Sequence, residues 1–166
     1  MSNHSWIVSL QQAIRRTNKF MPHIAIIGVG HELRGDDAAG VMVARRLQAT
    51  RNSNQMIIDA GPSPENFTGK LREFAPDIVI LVDAIQINEP TGTICLLPID
   101  KVQPFSLTTH TLSPNLLVDY LRLSHNCDVL LLGIQAGQDT FDTGMSPTVQ
   151  LSVEQIAREL QWLCGS

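Results

Sequence analysis

The sequence predicts an α/β fold with three αβα layers. The central layer is a mostly parallel, twisted sheet of about five strands with one antiparallel edge strand. Three observations predict it. Short β-branched runs, apolar almost throughout, alternate with amphipathic helical patterns, as expected of strands covered on both faces. Several of these runs end on an aspartate, which suits a crevice at the carboxyl edge of a parallel sheet. One connection between strand-like runs is too short for a parallel crossover.

The four buried-strand runs are HIAIIGV (23–29), QMIIDA (55–60), DIVILVDA (77–84) and CDVLLLGI (127–134). Helices are expected over 38–50, 63–74, 113–124 and 152–164. Ser63 and Ser113 stand where N-caps belong, each followed by a proline at the first helical position. The run 91–99 (TGTICLLPI) reads as a further strand. Only about eight residues separate it from the strand ending near Asp83, and a parallel crossover needs about a dozen, so it is expected to run antiparallel at an edge. Residues 135–148 read as a long polar loop, a length that is often functional in compact domains. Upstream, Trp6, Ile7, Leu10 and Ile14 recur at helical spacing, so 4–17 reads as an amphipathic helix packed on its own domain. The expected organisation is therefore an N-terminal helical extension over 1–22 and a single α/β domain over 23–166.

Composition narrows the function. The chain of 166 residues suits one domain, and its 43% hydrophobic and 17% charged content supports a sizeable core. A net charge of −4 with no Lys/Arg run argues against a nucleic-acid partner. No apolar run approaches the ~18 residues of a membrane span, and the first residues lack the order of a signal peptide. Cys95, Cys127 and Cys164 are odd in number and widely spaced, as expected of reduced, buried thiols in a cytoplasmic protein.

The acids point to chemistry. Asp36 and Asp37 follow the first strand by a short turn, while Asp59 and Asp83 end the second and third. Three have an ordinary alternative, Asp36 or Asp37 as a cap for the helix from Ala38 and Asp59 as an organiser of the turn at Gly61, whereas no capped helix follows Asp83. Converging, they form a repelling set that a cation, a proton or a histidine relieves. His31 lies inside the opening loop and His110 just before an expected helix. Two carboxylates and an imidazole suit a borderline divalent ion, with zinc, manganese, iron and nickel all open. Gly28, Gly30 and Gly35 do not make a dinucleotide fingerprint, and aspartates at the helix entrance repel phosphate. These glycines read as turn residues that let the backbone approach a peptide or a metal.

Taken together, these segments resemble a known family. GVGHELRGDDAAG is similar to the G-(I/V)-G-N-x-(L/M)-x-x-D-(D/E)-x-x-G opening of the [NiFe]-hydrogenase maturation endopeptidases. IIDAGPSP, IVILVDAI, THTLSPNLL and LLGIQ with GMSPTVQ resemble, in order, their second-strand element, D-A strand, histidine segment and fifth strand with its following turn. The resemblance spans about residues 23–163. It implies an endopeptidase that trims a short C-terminal peptide from the nickel-loaded large subunit of a [NiFe]-hydrogenase. It implies metal contact by Asp37, Asp83 and His110, with Asp59 as a supporting or proton-transferring acid. Gly28, Gly30, His31, Asp36 and Gly61 are the expected substrate-contacting positions. His31 departs from the pattern, which usually has asparagine there. The implied nickel arrives within the substrate, with no organic cofactor. The implied partner is the large-subunit precursor.

Hydrolysis is expected either by polarisation of the scissile carbonyl or through a general base such as Asp59. HExxH, G-x-S-x-G and a Cys–His pair are all missing, which disfavours those mechanisms. Two other classes remain open on sequence: a non-catalytic hydrogenase assembly factor, and a small-molecule or nucleotide-binding α/β module.

Overall fold

A computed structural model of the chain describes residues 5–99, 127–138 and 140–165. Helix α1 (Ser5–Arg16) precedes β1 (Ile24–Val29), α2 (Ala39–Leu47), β2 (Gln55–Gly61), α3 (Thr68–Phe74), β3 (Ile78–Ile85), β4 (Ile94–Pro98), β5 (Asp128–Gln135) and α4 (Pro147–Gly165). The sheet order is β2-β1-β3-β5-β4. Strands β1, β2, β3 and β5 run parallel, and β4 pairs antiparallel with β5 at the edge, as its short connection predicts. The expected helix at 113–124 and His110 lie outside the described residues.

Side chains alternate across the sheet and fill two cores. Ile26, Ile80 and Leu132 face α1, α2 and α4, and pack with Trp6, Val43 and Ile156. Ile27, Leu81 and Leu131 face the other way and pack with Leu71 of α3. Helix α1 contributes Trp6 and Leu10 to the first core at 1% and 0% exposure. Full burial of side chains of this kind stabilises by roughly 1.5–3 kcal/mol each. Among the described residues no helix is long and apolar enough to cross a membrane.

Three local expectations are corrected. The final helix starts at Pro147, five residues before the expected 152, so the polar loop shrinks to 136–146. A proline at the first helical position forfeits no intrahelical bond, so Ser146–Pro147 opens the helix. The expected helix 63–74 is a 3-10 turn (Pro64–Phe67) followed by α3, and Ser63 makes no side-chain cap bond. Neither Asp36 nor Asp37 caps α2: they lie within a 3-10 turn (Gly35–Ala38), and α2 has no side-chain cap bond.

Candidate active site

The carboxyl edge of β1 and β3 is built by close backbone approach. Gly28 lies inside β1 against Gly40 and Ala44 of α2, and Gly40 in turn sits against the carbonyls of Val29 and Val82. A methyl group at either glycine would overlap that backbone, so the pair sets the depth at which α2 rests on the sheet. Gly28 is thus corrected from a turn residue to a strand residue whose missing side chain serves helix packing. Because Gly40 touches Val82, the turn carrying Asp37 three residues earlier lies at the edge where Asp83 follows Val82. Asp37 and Asp83 are each 3% exposed.

The opening loop is folded onto this edge. Gly30 adopts φ +138° against the main chain of Asp37, and its N–H donates to the Gly61 carbonyl at 2.9 Å. The His31 N–H donates to Asp37 Oδ2 at 2.9 Å, and the Leu33 N–H donates to His31 Nδ1 at 3.2 Å. The His31 ring meets Phe141 edge-on at 5.2 Å, and the Arg34 guanidinium lies 4.9 Å over the same ring.

Asp36 does something different from its neighbour. It is fully buried, at 0% exposure. Its Oδ2 accepts from the N–H groups of Gly137 (2.7 Å) and Gln138 (2.9 Å) and from Ser146 Oγ (2.8 Å), while Oδ1 accepts from the Ser146 N–H (2.6 Å). Asp36 is therefore corrected from a substrate contact to an internal anchor: both its oxygens accept hydrogen bonds from within the protein and no solvent reaches it.

Asp59 stands near the end of β2 and holds the turn at Gly61, both as expected. It follows Ile57 on the α2 side of β2, where Arg45 Nε donates to its Oδ2 at 2.7 Å and the Gly61 N–H donates to Oδ1 at 3.2 Å. Asp83 shares its face of β3 with Leu81 and Ile85, two residues to either side, and so leaves the strand on the opposite side of the sheet. The two aspartates reach the same edge but not the same face. Arg45 also holds Glu32 at 2.8 Å, and its pKa is raised by Asp59 first and Glu32 second. Gly30, His31, Glu32, Arg45, Asp59 and Gly61 line a cavity of about 140 Å³ there, with Gly61 at φ +56°. His31, Gly30 and Gly61 thus line one cleft.

Among the described residues no three or more His, Cys, Asp or Glu side chains gather as a metal site. Of the expected ligands, Asp37 and Asp83 are described. Cys95, Cys127 and Cys164 are buried and form no disulfide; burial pushes Cys164 up to about 12 and raises Cys95, so neither of these two is a thiolate nucleophile at neutral pH. Sequence reasoning did not single out Arg45, Glu32, Gly40 or Ser146. The last glycine of GDDAAG and the Ser–Pro pair were the available signals for Gly40 and Ser146.

Known proteins resemble this chain in sequence and fold. The family model described as hydrogenase maturation protease matches residues 41–161. The hydrogenase 3 maturation protease of Escherichia coli K12 is 32% identical over 137 residues, covering 82% of this chain and 87% of the relative. The crystal structure of HycI, a [NiFe] hydrogenase maturation protease from Thermococcus kodakarensis KOD1, superposes with a TM-score of 0.85. It is 28% identical, with 95% of this chain and 99% of that one covered. The solution structure of the endopeptidase HycI from Escherichia coli gives 0.72 at 27% identity, covering 84% and 89%. The chain belongs to the hydrogenase maturation protease family. It is a peptide hydrolase of α/β architecture.

Proposed function

We propose that this protein removes a short C-terminal peptide from the nickel-loaded large-subunit precursor of a [NiFe]-hydrogenase, in the cytoplasm. The observation that carries the reading is the pair of buried carboxylates, Asp37 and Asp83, brought to one sheet edge by the Gly28–Gly40 contact in a chain of the maturation protease family. Buried carboxylates are costly unless they meet donors or a cation. In this reading the cation is part of the substrate: nickel already held by the precursor docks on Asp37, Asp83 and His110. Hard oxygen donors and an imidazole suit a borderline divalent ion and leave positions open for the precursor's own ligands.

Docking places the scissile peptide against the cleft lined by Gly30, His31 and Gly61. Water then adds to the peptide carbonyl, the C–N bond breaks, and a carboxylate and an amine are released. The Asp59 carboxylate is already committed to Arg45 and to the Gly61 N–H, which favours carbonyl polarisation at the nickel over Asp59 as the general base.

The test follows the mass of the precursor. Incubated with this protein, the nickel-loaded precursor is expected to lose a C-terminal peptide and the nickel-free one to stay intact. An unshortened loaded precursor that still forms a complex would replace the protease with an assembly factor. Asp83→Asn and His110→Ala are each expected to lower cleavage at least ~100-fold while the protein stays folded, a loss on the scale of one transition-state contact. Unchanged cleavage by both would remove them from the site.

A further inference from the structure

Residues 137–138 and 140–146 are sewn to the opening turn. Four hydrogen bonds converge on the Asp36 carboxylate from Gly137, Gln138 and Ser146. The Asp36 N–H returns to the Gln138 carbonyl at 2.8 Å, and the Asp142 N–H reaches the Leu33 carbonyl at 3.0 Å. Gly35, at φ +50°, leaves no room for a side chain: a methyl there would come within 2.8 Å of Thr143 Oγ1 and 2.9 Å of the Gln138 carbonyl. Phe141, carried on the same loop, packs against His31 and Arg34. The loop and the turn therefore move together.

The residue next to this anchor is Asp37, whose carboxylate accepts the His31 N–H. Two adjacent residues of one 3-10 turn divide the work: Asp36 faces inward and Asp37 supports the cleft. Charge-assisted bonds in a water-free site are short and strong, and a backbone held at one residue has little freedom at the next.

We infer that Asp36 is a positioning residue for the hydrolysis: with Ser146 it clamps residues 137–138 and 140–146 to the turn and so fixes the Asp37 carboxylate and the His31 wall of the cleft. Asp36 touches no substrate. The inference rests on Asp37 belonging to the active site, as proposed above, and it assigns to Ser146 a role beyond opening α4.

Ser146→Ala removes one donor to Asp36 and leaves the Ser146 N–H in place. Ser146→Thr keeps the hydroxyl and remains among the favoured residues before a helix. Asp36→Asn removes the charge. The direct readout is amide hydrogen exchange at His31, because that N–H donates to Asp37 Oδ2. In Ser146→Ala, exchange at His31 is expected to quicken about tenfold relative to core amides of β1 and β3, the effect of one lost charge-assisted bond. The kcat for precursor cleavage is expected to fall by a similar factor, with KM changed less than about twofold. Ser146→Thr restores both, and Asp36→Asn gives a larger loss of the same kind.

The inference is overturned if Gly137 and Gln138 amides loosen in these variants while His31 exchange and kcat stay as in the unmodified protein. It is equally overturned if His31 exchange rises only in step with every core amide, which marks global destabilisation. Should the unmodified protein fail to cut the precursor, the proposed function falls, and the His31 exchange comparison still decides the clamp.

Discussion

Two carboxylate sites flank the opening loop, and they use the same side chain in opposite ways. At Asp36 a fully buried charge is met by two main-chain N–H groups and one serine hydroxyl on one oxygen and by one N–H on the other. At Asp59 the charge meets Arg45 on the rim of the cleft, where the Asp59 side chain is 28% exposed and that of Arg45 44% exposed. Burial decides the difference. Without its carboxylate, the Asp36 site leaves several donors with neither protein nor water to bond. Water replaces what Arg45 loses at the rim. Both are aspartates near the carboxyl end of a strand, one in the turn beyond β1 and one within β2, and their surroundings separate an anchor from a replaceable ion pair.

The largest expected effect is Asp36→Ala, a loss of about 3–5 kcal/mol of stability by denaturant unfolding, because it strands buried donors. A loss under about 1 kcal/mol would break the contrast outright. Next is Gly40→Ala, where the added methyl meets the Val29 and Val82 carbonyls. Overpacking of this kind costs about 1–3 kcal/mol, and it also lifts the Asp37 turn relative to Asp83. Cleavage should therefore fall further than stability alone accounts for, measured at a temperature where the variant is fully folded. Asp59→Asn should cost less than about 1 kcal/mol and lose most of that difference in high salt.

The smallest effect belongs to a site intermediate between the two. Asp77 lies 2.6 Å from Lys19 Nζ and accepts the His23 N–H at 2.9 Å. Burial would raise its pKa, but the Lys19 bond and the His23 N–H outweigh burial, and the net direction is down from 3.8. A carboxyl depressed in the folded state contributes stability that is complete above its unfolded pKa and is lost as pH falls through the folded one. Asp77→Asn should accordingly flatten the acid limb of the stability profile below about pH 4 and leave pH 7 to 9 unaltered in slope. An unchanged acid limb would remove Asp77 from the acid transition.

How much of this was legible beforehand differs by feature. The strands were, because fully covered parallel strands demand long β-branched runs. The antiparallel edge strand was too, because chain length limits what a short connection can do. The start of α4 carried a Ser–Pro signal like that at Ser63–Pro64, but the polar stretch before it read as loop. The facing of Asp59 and Asp83 was not legible. Strands apolar on both faces show no alternation, so nothing in QMIIDA or DIVILVDA says which side a terminal aspartate takes. The Asp36 clamp was least accessible, since its partners lie about a hundred positions along the chain.

The sequence by itself determined the α/β class, the run of strands and helices, and the set of acids at strand ends, because local periodicity and chain length act residue by residue. Only the tertiary structure decided which acid became an anchor, which an ion pair on the rim and which a buried carboxylate at the sheet edge. Burial and hydrogen-bond supply are properties of the folded surroundings, and identical aspartates differ in nothing else.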